Sequence, residues 1–181
     1  MFNWPNIQSS ALIPVLALLI CNLSTASEQA ASLPQQQTLK LIGKAKLSVL
    51  FWDIYQSSLY SSTGDYQLDN RPEQVVFNIH YLRDIEQSEL IEHTEEQWRH
   101  LGLTPQDFNS YLAQLQTFWP NIEQGDNLTL LVNPSNSTFY FNSEPIGNIE
   151  SANFGPMFLN IWLSPQTSRP KLRRQLLGMI D

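Results

Sequence analysis

"VVFNIHYLRDIEQSELIEHTEEQWRHLG", residues 75–102, changes its hydrophobic period part-way, and that change decides the fold. Val75, Phe77, Ile79 and Tyr81 recur at every second residue and share one face of a strand; Arg83 continues the same parity. Past Ser88, a residue type suited to cap a helix, Leu90, Ile91, Thr94, Trp98 and Leu101 recur at helical spacing, and Gly102 supplies a stop. Thr104-Pro105-Gln106-Asp107 then opens a second helix with a capping hydroxyl, a proline at the first helical position and an acid in the first turn. Its stripe is Phe108, Tyr111, Leu112, Leu115 and Trp119, and Pro120 ends it. With only Gly102-Leu103 between them, the two helices pack as neighbours.

Upstream, residues 40–60 are strand-like. Ala45, Leu47, Val49 and Phe51 alternate with Lys44, Lys46, Ser48 and Leu50, and Trp52, Ile54, Tyr55, Leu59 and Tyr60 extend the apolar run. This is one long bent strand or two in succession, followed by a turn-rich stretch to Pro72. Downstream, Gly125-Asp126 reads as a turn, with Asp126 a turn acid. Leu128, Leu130 and Val132 mark a strand, residues 133–137 a turn, and Thr138 to Phe141 its partner. Residues 142–147 turn again, 154–163 form an apolar helix, and Pro170 starts a last helix running to Gly178. Runs of like elements, rather than strict alternation, indicate an α+β domain over residues 38–181, with an antiparallel sheet covered on one face by helices.

The chain has 181 residues, enough for one domain with a sizeable core. Its formal net charge is −7 with no large basic field, so nucleic acid and anionic lipid surfaces are not expected partners. The cluster Arg169, Lys171, Arg173 and Arg174 reads as ordinary helix charge. Residues 11–20, ALIPVLALLI, form an apolar run too short to span a bilayer, and Ser24 and Ala26 suit the two small-residue positions of a signal-peptidase site. We therefore expect a signal peptide over residues 1–26, a flexible polar leader over 27–37, and export to the periplasm with no membrane span left after cleavage. Leu18-Leu19-Ile20-Cys21 resembles a lipoprotein box, but such a box wants a small residue where Ile20 stands, so cleavage after Ala26 is the preferred reading. That cleavage removes Cys21, the single cysteine, and with it disulfides, thiol catalysis and zinc–thiolate sites.

Several segments together, in order and spacing, resemble the chalcone-isomerase-like superfamily, most closely its short secreted bacterial branch. They are GKAKLSVLFWDIYQSSLY (43–60), YLRDI (81–85), WRHLG (98–102), Gly125-Asp126, FYFN (139–142) and IWLSPQTSRPKLRRQLLG (161–178). The resemblance implies an open-faced β-sandwich, a large antiparallel sheet with helices on one face and a ligand cleft between them. It departs from the plant enzymes where they do chemistry. Their early arginine falls within Gln37-Thr38-Leu39-Lys40, which has none; an ungapped match on Trp98 puts Glu86 and His93 where they carry tyrosine and asparagine. Only the hydroxyl before the last helix has a counterpart, Thr167 or Ser168. The cyclisation needs a cation to steer a phenolate and a hydrogen-bonded water at the ketone, and the sequence keeps at most one of these parts.

The expected function is therefore non-catalytic binding of a small apolar or acidic molecule, fatty-acid-like or aromatic, with no cofactor. One alternative is an isomerase (intramolecular lyase) with a rearranged site, using Thr167 or using His93, whose side-chain type titrates near neutrality. Another is an interaction protein whose cleft its own side chains fill. Arg83 follows an inward-facing row, so its charge must reach solvent, a carboxylate such as Asp84 or Glu86, or a ligand anion. Fatty-acid-binding relatives hold a carboxylate with an arginine and a tyrosine, which makes Arg83 and Tyr81 ligand-binding candidates, with Tyr55, Thr167 and Ser168 beside them. Glu89, His93, Glu96 and His100 fall on one flank of the first helix at about 100° per residue. Adjacent members suit a divalent metal by spacing, but a solvated helix edge gives the same pattern and no metal site is expected. Phe51, Trp52, Tyr55, Tyr60, Trp98, Tyr111, Trp119 and Trp162 are core or pocket lining.

Overall fold

The computed structural model describes residues 39–180; the expected signal peptide and leader lie outside them. Six strands, β1 (Lys40–Val49), β2 (Trp52–Ser61), β3 (Val75–Tyr81), β4 (Asn127–Val132), β5 (Ser137–Phe141) and β6 (Glu144–Ile149), lie side by side in sequence order, each antiparallel to the next. Four helices accompany them: α1 (Gln87–His100), α2 (Pro105–Phe118), α3 (Phe154–Leu163) and α4 (Pro170–Leu176). The fold is α+β, an open antiparallel sheet with helices against one face.

Strand register explains which face is covered. Leu59 pairs with Phe77, Phe77 with Leu130, and Leu130 with Phe139, so one buried row crosses four strands. Phe77 meets Trp162 of α3, while Phe139 meets Phe118 of α2, Trp119 and Phe158. Burial of each such side chain stabilises the fold by about 1.5–3 kcal/mol. On the opposite face the pairs are mixed: Asn78 Nδ2 donates to Thr129 Oγ1 at 2.8 Å, while Val76 and Leu131 make a buried apolar pair. The helix α3 is apolar apart from Asn160, and α1 covers it through Trp98, which packs on Phe154 and Phe158 and donates from Nε1 to Met157 O at 3.3 Å.

Of the two readings of residues 40–60, two strands in succession is the one found: they form a hairpin turning at Leu50-Phe51, which carry no turn chemistry. Two other local readings of the sequence are corrected. The first helix starts at Gln87, so Ser88 is inside the first turn rather than the cap. Asn121, beyond α2, satisfies that end: its Oδ1 accepts from Gln87 N at 2.9 Å, next to a two-bond bridge between Ile85 and Ile122. Finally, residues 142–147 are not all turn. Asn142 and Ser143 make a two-residue turn at φ 48° and 76°, and Glu144 starts the sixth strand. Pro145 is tolerated because β6 is an edge strand. Gly147 is required there because the Phe118 ring lies 2.4 Å from where a Cβ would stand.

Candidate functional site

A cavity of about 450 Å³ lies between the helix layer and the inner face of the sheet. Phe77, Ile79, Leu128, Leu130 and Phe139 form its floor. Phe158, Ile161 and Trp162 of α3 and Leu90 and Thr94 of α1 form its roof, with Trp119 at the end of α2. It is open because α1 packs chiefly on α2 and α3 rather than on the sheet, and the aliphatic floor residues are too short to fill the gap. Leu47, Val49, Leu50 and Trp52, from the β1–β2 hairpin, continue the apolar wall outward. The expectation of a cleft between sheet and helices therefore holds, and its own side chains leave it unfilled.

Polar groups concentrate on one wall and at the mouth. Tyr55 in β2 and Tyr81 in β3 are register partners, with ring centroids 6.2 Å apart. Tyr55 Oη accepts a hydrogen bond from Trp162 Nε1 at 2.8 Å. Burial pushes the Tyr55 phenol up to about 12, against the opposing effects of that hydrogen bond and of the Arg169 charge. Burial pushes Tyr81 up as well, and neighbouring Tyr55 adds to it. Both phenols are neutral at physiological pH and present hydrogen-bond donors to the cavity.

Arg83 lines the mouth and makes no salt bridge among the described residues. Its Nε donates to the Asp84 backbone oxygen at 3.2 Å, and the Asp84 carboxylate is occupied by Gln124 N at 2.8 Å. Arg169 also lines the mouth, and neither arginine has a carboxylate within ion-pair distance among the described residues. Ser168 Oγ donates to Gln97 Oε1 at 2.6 Å, tying the approach to α4 onto α1 at the rim. Thr167 is not at the cavity. It is buried behind the rim, its Oγ1 donating to Ile161 O at 2.6 Å and accepting from Arg169 N at 3.2 Å, so it fixes the turn that presents Arg169. Its hydroxyl is committed to the backbone, which corrects its place among the ligand-binding and catalytic candidates.

The helix flank divides. Glu89 and His93 border the cavity, but His93 Nδ1 lies 2.9 Å from Glu96 Oε2, with both side chains more than half exposed. His100 donates from Nε2 to Gln166 O at 3.1 Å. Among the described residues no three His, Cys, Asp or Glu side chains gather as a metal site. Of the aromatics singled out by sequence, Trp52, Tyr55, Trp119 and Trp162 line the cavity; Trp98 is core, Tyr111 is bonded to Ser151, and Phe51 is at the hairpin tip. Arg169 was missed because it sits in a basic cluster that looks like helix charge. Its position was the usable signal: it is the residue before Pro170, at the N-terminal end of α4, where the helix dipole disfavours a cation.

The sequence matches the family model for chalcone isomerase-like proteins over residues 24–178. The chain belongs to the chalcone isomerase-like family. A relative in Haemophilus influenzae, described as an uncharacterized protein, is 30% identical over 137 residues, covering 76% of this chain and 67% of its own. Among solved structures, a fatty-acid binding protein of Arabidopsis thaliana superposes with a TM-score of 0.57 at 12% identity, over 78% of this chain and 87% of that one. At that identity the likeness concerns the fold. This chalcone isomerase-like protein thus shares the overall fold of its structural neighbour.

Proposed function

We propose that this protein binds, without chemical turnover, a small amphipathic molecule with an apolar body and an anionic head, such as a fatty acid, and that it does so after export to the periplasm. The carrying observation is the combination of an apolar cavity with two arginines at its mouth that no carboxylate among the described residues neutralises. An apolar chain against Phe77, Leu128, Leu130 and Phe158 removes hydrocarbon from water, worth about 0.8 kcal/mol per buried CH₂. A carboxylate at the mouth meets Arg83 or Arg169 in charge-assisted hydrogen bonds, and the neutral phenols of Tyr55 and Tyr81 add donors without opposing charge. The fold shared with a fatty-acid binding protein supports the reading. Export rests on the apolar run and on Ser24-Thr25-Ala26.

A melting series tests it. A long-chain fatty acid in excess should raise the melting temperature of the parent, because a ligand bound only by the folded state stabilises that state. Arg83→Ala combined with Arg169→Ala should lose most of that rise while the ligand-free protein melts as before, since neither arginine holds an ion pair among the described residues. A hydroxychalcone should lose absorbance at the same rate with and without the protein. Unchanged ligand response in the double arginine variant, or enzymatic chalcone turnover, would reject the reading.

A further inference from the structure

Consecutive side chains at the β1–β2 turn contribute little to the protein's own core. Leu50, Phe51 and Trp52 are 88%, 99% and 71% exposed. The turn is also an odd place for them. Two-residue hairpins take Gly, Asn or Asp where the backbone needs positive φ, yet Leu50 occupies such a position at φ 56°. Neither burial nor backbone preference within the monomer accounts for these side chains.

We propose that this tip inserts into the interfacial region of a phospholipid bilayer and holds the cavity mouth against it. The shape argues for lipid over protein. An aromatic side chain offers about 150–250 Å², so a three-residue tip falls short of the roughly 800 Å² that each partner buries in a stable protein interface. A bilayer accepts a convex apolar point, and Trp and Phe suit the boundary between headgroup and acyl chain. Charge complementarity is local. Arg83 and Arg169 share the mouth with Leu50 and Trp52 and are without carboxylate partners among the described residues, so they are free for lipid phosphate oxygens. The net charge of −7 forbids attraction by bulk charge, so docking is driven by insertion and tolerates salt. Leu47, Val49, Leu50 and Trp52 also line the cavity, so an acyl chain passing between bilayer and cavity stays on apolar surface. Only that last step rests on the ligand proposed above; docking does not.

The test uses protein purified from the cells that make it, with sonicated phosphatidylcholine vesicles. The parent should co-sediment with vesicles in both low and high salt. Leu50→Asn with Phe51→Ser, which suits the turn and is checked for native circular dichroism, should partition at least about tenfold more weakly, the loss of roughly 1.4 kcal/mol of binding. A second variant, Phe51→Cys in a Cys21→Ala background, carries an environment-sensitive fluorophore at the tip. Its emission should shift to the blue on adding vesicles. The proposal is overturned if the parent stays in solution, or if it sediments while the tip label does not respond, which would place membrane contact in residues 1–38. A label shift that needs no lipid and grows with protein concentration would assign the tip to a second copy, and one abolished by salt would replace insertion with charge.

Discussion

Alkaline pH should loosen this fold through a phenol that the cavity wall buries. Tyrosine in an unfolded chain titrates near about 10, whereas burial pushes Tyr55 up to about 12, despite the hydrogen bond from Trp162 and the charge of Arg169. The folded chain then keeps a proton that the unfolded chain releases. The Tyr55 contribution is therefore fully present below about pH 10 and is lost as pH rises from about 10 to 12. A separation of about two pH units at about 1.4 kcal/mol each gives a loss of about 3 kcal/mol, a large part of the 5–15 kcal/mol typical of a domain. Tyr81, shifted in the same direction by burial, adds to it. Guanidinium unfolding at intervals from pH 8 to 12 measures the loss, and absorbance at 295 nm counts phenolates in the native state. Tyr55→Phe should begin lower at pH 8, because Trp162 Nε1 loses its acceptor, at a cost of about 1–3 kcal/mol. It should then lose about 3 kcal/mol less than the parent by pH 12. Parallel stability curves for parent and variant, or native phenolate absorbance rising for every tyrosine near pH 10, would refute the reasoning.

Other outcomes follow from single contacts. Gly43→Ala should destabilise by about 1–3 kcal/mol in urea unfolding, because the added Cβ would stand 2.2 Å from Gln175 O and α4 would have to move. His93→Ala and His100→Ala should each change stability by less than about 0.5 kcal/mol, and micromolar zinc should leave the melting temperature unchanged. N-terminal sequencing of exported protein should begin at Ser27; a lipid-modified Cys21 at the start would refute the cleavage proposed.

The sequence was legible where periodicity was strong and local chemistry complete. Val75 to Tyr81 alternates because β3 is central and its inner-face residues are all buried. Helix α2 carries its own start signal, with the Asp107 carboxylate accepting from Thr104 N at 2.7 Å. The misread features have causes distant in sequence. The cap of α1 comes from Asn121, 34 residues from Gln87. The sixth strand contains Pro145 and Gly147, both loop signals, and only the Phe118 ring explains the glycine. At the site, Arg83 was legible because parity placed a charge after an apolar row. The roles of Thr167 and Arg169 were not, because the two alternate along one turn and only geometry sends the hydroxyl to Ile161 O and the guanidinium to the mouth.

The central claim is that the cavity holds an apolar chain, and its indoles report on that directly. Trp119 and Trp162 line the cavity, whereas Trp98 is sealed in the core and donates to Met157 O. Titration with a fatty acid brominated along its chain should quench tryptophan emission saturably at one ligand per chain, because bromine quenches only at contact. Trp162→Phe and Trp119→Phe should each remove part of the quenching, and Trp98→Phe should remove none of it. Emission that stays unquenched, or quenching that falls without saturation and is indifferent to Trp119 and Trp162, would contradict the account.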